Sequence, residues 1–234
     1  MIAGLQKMTL LDYPGKVACT VFLQGCNFRC PFCHNSDLLP RSGEPFMTVE
    51  AFLQFLDKRK GLLDAVCVSG GEPTLQPELE GLLREIKSRG YLVKLDTNGS
   101  HPEMLKHLVG EGLVDYVAMD VKNGPDAYGA TVGLHSYKLA SVEESLRFLI
   151  GGNADYELRT TVVAQFHSED TILQMGQWLA DLVPGKKAAK LFLQFFVDRE
   201  SVLGSGLNAH EAKTMEKFAE ILTPFVEKIS VRGG

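Results

Sequence analysis

The sequence predicts an α/β protein, a partial (β/α)6 TIM-like barrel in a single domain spanning residues 1–234. Two observations carry this. Apolar, strand-like runs alternate with amphipathic helical stretches about six times, the pattern of βαβ units and a mostly parallel sheet. The chain has 234 residues, whereas eight such units typically need about 250. The barrel is therefore expected to stay incomplete, with an open side that admits a large substrate.

Val17–Gln24 reads as the first core strand. Thr48–Lys58 reads as a helix, with Thr48 as its N-cap before Val49 and Glu50. Ala65–Val68 is the next strand, followed by Ser69-Gly-Gly-Glu-Pro-Thr and a helix over Pro77–Arg89 that Gly90 terminates. Tyr91–Leu95 is a third strand, then a helix over Pro102–Gly110, and Tyr116–Met119 is a fourth strand. The alternation continues through helix Val142–Leu149, strand Tyr156–Val163, helix Ser168–Leu182 and strand Leu191–Phe196. Ala209–Phe218 has a helical pattern, and Lys228–Val231 a short final strand. No repeat or linker suggests a second domain. In parallel α/β folds the functional loops lie at the strands' C-terminal ends.

Composition narrows the function classes. Apolar residues make up 45% and charged residues 23%, the balance of a globular protein and not of a disordered chain, coiled coil or fibre. No apolar run reaches the ~18 residues of a membrane helix, and Met1–Leu11 lacks the apolar stretch of a signal peptide. The expectation is a cytoplasmic protein with no membrane partner. A net charge of −5 gives no electrostatic reason to expect a nucleic-acid partner.

The five cysteines are Cys19, Cys26, Cys30, Cys33 and Cys67, and three of them fall within eight residues. Without an export signal, metal binding or redox chemistry is favoured over a disulfide framework. Cys26-Asn-Phe-Arg-Cys30-Pro-Phe-Cys33 has the spacing C-x3-C-x2-C at the end of the first strand. Three such thiolates wrap one face of a four-iron cluster and leave its fourth iron open to a small molecule. A zinc knuckle would use the three cysteines and His34, but Cys33 and His34 are adjacent and no second pair follows. Cys19 and Cys67 lie inside apolar strands and read as small buried side chains.

Cys26 to Asn35, together with Ser69-Gly-Gly-Glu-Pro, resembles the radical S-adenosylmethionine (SAM) superfamily. Phe32, the aromatic before the last cysteine, fits that signature, and the Cys33-His34-Asn35 ending is typical of its glycyl-radical-enzyme activases. Gly4-Leu-Gln-Lys7, Leu11-Asp-Tyr-Pro-Gly15 and Gln24-Gly-Cys26 further resemble the family of anaerobic ribonucleoside-triphosphate reductase activating proteins. The similarity runs from Ile2 to about Val163 and thins afterwards.

The resemblance implies a partial barrel of the radical SAM type with a 4Fe-4S cluster held by Cys26, Cys30 and Cys33. It implies that SAM's methionine group chelates the open iron. One-electron cleavage of the sulfonium then yields a 5′-deoxyadenosyl radical that takes hydrogen from a glycine of a partner enzyme. The implied partner is a glycyl radical enzyme, the anaerobic ribonucleotide reductase, with flavodoxin or ferredoxin as electron donor. The implied cofactor contacts include Phe32 and His34 beside the cysteines. Gly70, Gly71 and Glu72 would meet the methionine amino group. Asp96 and Asn98 would line the SAM site, and Lys122 would meet the methionine carboxylate. Asp96 and Asp120 would bind a monovalent cation, as in pyruvate formate-lyase activases. Arg159 would stand near the ribose, paired with Glu72 or with a SAM carboxylate, since a buried arginine requires a partner. Where formate-lyase activases carry a histidine near the adenine, this chain offers Leu193–Phe196, whose Gln194 amide can hydrogen-bond.

The same residues also have plainer readings: a strand–helix turn at Gly70–Pro73, an Asx-turn at Asp96, and a tight turn at Asn98-Gly99. His101 and His107 fall on an expected surface helix, while His135, His167 and His210 read as solvated or capping. The Tyr13-Pro-Gly15 loop and the segment 124–135 are candidates for substrate contact. Two rival functions remain open on the sequence: a radical SAM enzyme acting on a small molecule or another protein, and a zinc-stabilised binding module or electron carrier.

Overall fold

The computed structural model describes residues 1–39, 44–134 and 136–233. His135, one of the histidines considered above, and Gly234 lie outside the described residues. The chain folds as two compact units, one of residues 1–27, 37–97 and 103–118, the other of 28–36, 98–102 and 119–234.

In the first unit, β1 (Ile2–Thr9) pairs antiparallel with β2 (Ala18–Leu23). β2 runs parallel to β3 (Ala65–Gly70), and β3 parallel to β4 (Leu92–Thr97). Helices α1 (Val49–Lys58), α2 (Leu79–Ser88) and α3 (Pro102–Gly110) fill the crossovers. β5 (Tyr116–Asp120) ends at the start of the second unit. That unit continues with α4 (Pro125–Thr131), α5 (Ala140–Ile150), β6 (Tyr156–Val162), α6 (Glu169–Leu182), β7 (Ala188–Phe195), α7 (Ala212–Leu222) and β8 (Val226–Arg232). β6, β7 and β8 pair in parallel. In chain order, β1 to β4 lie side by side in the first unit and β6 to β8 in the second.

The central strands are buried on both faces, which is why they read as unbroken apolar runs. In β3 one face carries Val66 and Val68, and the other Ala65 and Cys67. Ala65 and Cys67 pack with Tyr13, Ala18, Tyr116 and Leu92 in a small apolar cluster. Tyr13 is thus buried at the N-terminal end of the strands, 5.8 Å from the ring of Tyr116. This corrects the expectation that the Tyr13-Pro-Gly15 loop contacts substrate. Tyr13 plugs the end of the sheet away from the strand C-termini.

The helices bury stripes at three- and four-residue spacing: Phe52 and Leu56 on α1, and Leu79, Leu82, Leu83 and Ile86 on α2. Thr48 caps α1 as expected, accepting a 3.1 Å bond from Ala51 N. Gly90 follows α2 with φ +86°. Two elements are not among those expected. β1 has no clean alternation, and its register breaks between Ile2 and Gly4 and between Gln6 and Thr9, so its period is hidden. α4 has only seven residues.

Ser168 closes a reciprocal capping box with Thr171 at the start of α6. Ser168→Ala is expected to cost about 1 kcal/mol of stability, and Ser168→Gly only a few tenths. Urea midpoints of the two variants check this.

Candidate active site

The strand ends of the first unit bring Gly70, Gly71 and Glu72 against the start of the cysteine loop. Gly70 has φ +128°, and a Cβ there would lie 2.2 Å from the Leu23 carbonyl oxygen. A Cβ on Gly71 would lie 2.1 Å from Gly25 O and 3.1 Å from Cys26 N. Gly71 N donates to Leu23 O at 2.9 Å, and Glu72 N to Gly25 O at 2.7 Å. Two bare peptide segments therefore lock together where Cys26 leaves β2. Glu72 is 1% exposed. Its Oε1 accepts from Thr74 N (3.0 Å), Thr74 Oγ1 (2.5 Å) and Thr97 Oγ1 (2.8 Å). Glu72 caps the short 3-10 turn Pro73–Leu75, with Pro73 in the first position.

Lys94 and Asp96 share one face of β4, while Val93 and Leu95 occupy the other. The Lys94 ammonium sits 2.5 Å from Asp96 Oδ1, and Ser69 Oγ donates to Asp96 Oδ2 at 3.0 Å. Asp96 is therefore an ion-pair partner of Lys94. The Asx-turn belongs to Asn98, whose Oδ1 accepts from Ser100 N at 2.9 Å before Gly99 turns with φ +73°.

The second unit holds Cys30, Phe32, Cys33 and His34 between two supports. On one side Arg29 N donates to Val132 O at 2.9 Å, and a Cβ on Gly133 would lie 2.3 Å from Arg29 O. Residues 124–134, expected to contact substrate, thus brace the cysteine loop. On the other side Gly204 N donates to Pro31 O at 2.6 Å and Ser36 Oγ to Ser201 O at 2.6 Å. His34 Nε2 donates to Val197 O at 2.7 Å while its ring stacks on Phe196 at 5.6 Å. Phe32 is buried, 5.8 Å from the ring of Phe166. Cys33 N closes a turn on Cys30 O at 3.0 Å.

Asp120 ends β5 with Lys122 Nζ 2.9 Å from Oδ2 and Arg159 Nε 2.9 Å from Oδ1. The partner that the half-buried Arg159 demands is thus supplied in part by Asp120. Burial alone would raise the Asp120 pKa, but the Arg159 and Lys122 charges outweigh it and hold the carboxyl well below the usual range. Burial works against the Lys122 ammonium, yet Asp120 and then Cys30 and Cys33 raise its pKa. Gln194, half-buried on β7, makes no side-chain hydrogen bond among the described residues.

Sequence reasoning missed three residues here. Lys94 is 1% exposed inside a strand, and a lone lysine in an apolar strand already signals a hidden charge partner. Gly133 carried no motif. His167, expected to be solvated or capping, is 1% exposed. Its Nδ1 accepts from Val163 N at 3.1 Å and its Nε2 donates to Lys122 O at 2.9 Å, which fixes the neutral tautomer and the backbone beneath Lys122. His107 is on the surface as expected, 3.0 Å from Glu80.

Residues 20–170 match the radical SAM superfamily. A Methanocaldococcus jannaschii protein named a glycyl-radical enzyme activating enzyme is 35% identical over 185 residues, 77% of this chain and 76% of its own length. The chain belongs to the radical SAM superfamily, among its glycyl-radical enzyme activating enzymes. The pyruvate formate-lyase 1-activating enzyme of Escherichia coli K12 is 26% identical across 97% of both chains. Streptococcus suis SuiB, solved with S-adenosylmethionine bound, shares the fold at TM-score 0.69 and 11% identity, over 92% of this chain and 52% of its own. The radical SAM α/β fold expected from the sequence holds, and the zinc-module and bare electron-carrier readings give way to a radical SAM enzyme. Among the described residues no helix is long and apolar enough to cross a membrane.

The superfamily's cofactors are a 4Fe-4S cluster and SAM. The donor chemistry fits the cluster: Cys26, Cys30 and Cys33 form no disulfide and lie in one braced loop, the soft ligands such clusters require. Among the described residues no three His, Cys, Asp or Glu side chains gather as ligands of a single metal ion. A cubane holds its thiolates at separate corners, farther apart than the ligands of one ion. The monovalent cation expected at Asp96 and Asp120 does not fit, because both carboxylates already hold cationic side chains.

Gly71→Ala is expected to cost about 1–3 kcal/mol, since backbone must move to admit the methyl group. It should also lower the iron content per chain after anaerobic reconstitution. Gly81→Ala, in open space on α2, should leave iron content unchanged and gain up to about 1 kcal/mol.

Burial holds the His167 imidazole below its ordinary range, whereas in the unfolded chain it titrates near its usual value of about 6.5. The unfolded state therefore binds more protons in mild acid. This contribution to stability is complete above about pH 6.5 and is lost as pH falls through the folded value. His167→Gln should lower stability at about pH 8 and flatten the decline between about pH 7 and 5, as read from urea midpoints across pH.

Proposed function

We propose that this chain is a cytoplasmic activase, a single radical SAM domain over residues 1–234, that places a glycyl radical on an anaerobic ribonucleotide reductase. Electrons would come from a flavodoxin or ferredoxin. The observation that carries the reading is the cysteine loop, braced by Gly71, Gly133 and Gly204 within a chain of the activase family. The partner assignment rests on the Gly4–Lys7, Leu11–Gly15 and Cys33-His-Asn35 segments. A pyruvate formate-lyase is the second candidate, supported by the name of the Escherichia coli relative.

In this reading Cys26, Cys30 and Cys33 hold the cluster. Bound together, cluster and SAM supply a carbon radical that takes one hydrogen atom from the partner's glycine. The chain's own residues orient and shield. Gly70 to Glu72 present backbone to the methionine amino group, and Glu72's capping bonds fix that backbone. Lys122, set by Asp120 and by His167 beneath it, offers its ammonium to the methionine carboxylate. Asp96 and Asn98 line the SAM site, Arg159 stands near the ribose, and the Gln194 amide offers hydrogen bonds to the adenine. Phe32 and His34 anchor the loop that carries the cysteines.

Anaerobic incubation of the reconstituted protein with SAM, reductant and ribonucleotide reductase should give a glycyl-radical EPR signal that vanishes when the partner glycine is alanine. A signal with pyruvate formate-lyase alone would move the assignment to the second candidate. Deoxyadenosine formed at full rate with a free metabolite, and a radical on neither enzyme, would overturn the activase reading. Cys26→Ala, Cys30→Ala and Cys33→Ala should each abolish SAM cleavage. Cys67→Ala should keep the cluster, and losing it with the fold intact would refute three-cysteine ligation.

A further inference from the structure

We propose that Lys94 is a built-in cation: its ammonium supplies Asp96 with the positive charge that a bound monovalent metal ion would otherwise provide, so this chain binds SAM without one. The inference rests on the reading that Asp96 lines the SAM site.

A carboxylate at a strand end that faces an anionic ligand group must be balanced by a cation. At Asp96 that cation is covalently part of the protein. The Lys94 side chain is 2% exposed and its Nζ lies 2.5 Å from Asp96 Oδ1. Asp96 Oδ2 is engaged by Ser69 Oγ at 3.0 Å. Among the described residues Lys94 has no other hydrogen-bond or ion-pair partner. Cys67 stands opposite Lys94 in the strand register, but burial pushes its thiol up to about 12, so it carries no compensating charge. Any potassium or sodium ion that took Asp96 would deprive the buried Lys94 ammonium of its hydrogen-bonded counter-charge, which is the costly half of breaking a buried pair. A mobile ion therefore competes poorly for this carboxylate. In the second unit, Asp120 is likewise satisfied internally, by Lys122 and Arg159 on its two oxygens.

Lysine differs from a metal ion in what it can do there. An ammonium has three donors in a fixed arrangement and cannot gather the several oxygen ligands that an alkali ion draws together. The carboxylate is thus held by a buried side chain from its own strand, and its orientation does not depend on the salt in the medium.

The test is SAM affinity of the cluster-loaded protein, measured by anaerobic equilibrium dialysis in potassium chloride and in choline chloride at equal ionic strength. The expected result for the unaltered chain is the same affinity in both salts, within about twofold. Lys94→Met should lose about tenfold or more in choline chloride and recover in potassium chloride, as the ion enters the vacated place. Affinity of the unaltered protein at least about tenfold tighter in potassium than in choline would overturn the proposal. So would a folded Lys94→Met protein that matches the parent in both salts. If Lys94→Met does not fold, the comparison of salts on the unaltered chain still decides, and Lys94→Arg should retain its salt independence. Asp96→Asn separates this from the broader reading: unchanged SAM affinity in that variant would remove Asp96 from the SAM site and fail the site assignment instead.

Discussion

The carbonyl of Gly25 occupies the space that a side chain on Gly71 would need, and the cysteine loop depends on that contact. Because the segments after β2 and β3 touch backbone to backbone, the peptide of Glu72 can reach Gly25 with its N–H. The carboxylate of Glu72 is then turned inward, where Thr74 and Thr97 satisfy it and join the end of β3 to the end of β4. The second unit repeats the device. Gly133 lies against the carbonyl of Arg29, and Gly204 against that of Pro31. Three glycines on three separate segments thus set the path of one short loop. None of them needs to touch a ligand to be indispensable.

Charge is distributed with the same economy. The exposed pairs, such as Arg84 with Glu80, are half-open to solvent and contribute little to stability. The pairs at the strand ends are different. Lys94–Asp96 and the trio Asp120, Lys122 and Arg159 are withdrawn from water. Desolvation offsets much of their attraction, so their value lies less in net stability than in the single arrangement they permit. Losing the carboxylate of either group takes the ion-pair partner from a side chain that burial penalises.

Most of the fold was legible because the parallel strands are buried on both faces and the helices carry clear apolar stripes. Seven strands, β2 to β8, fall where their apolar runs place them. β1 escaped because bulges break its period, and α4 because seven residues offer too little pattern. At the site, the cysteine spacing and Gly-Gly-Glu were visible as local motifs. The pairing of Arg159 with Asp120, 39 residues apart, was not, since nothing local encodes it. His167 looked like a loop residue because its burial comes from distant backbone. Lys94 was legible in principle: a charge amid Leu92, Val93 and Leu95 demands an explanation from the sequence itself.

The two remaining cysteines have a chemical consequence. Cys19 and Cys67 are fully buried, and burial raises each thiol to about 12. Near neutral pH both therefore stay protonated, and it is the thiolate that binds iron, attacks disulfides and yields to peroxide. Toward alkylating agents, oxidants and loosely bound metal, Cys19 and Cys67 of the folded chain are therefore silent, although its composition counts five cysteines. Unfolding would restore both to ordinary reactivity. Oxidative crosslinks through Cys19 or Cys67 would then mark molecules that had lost their structure before they met the oxidant.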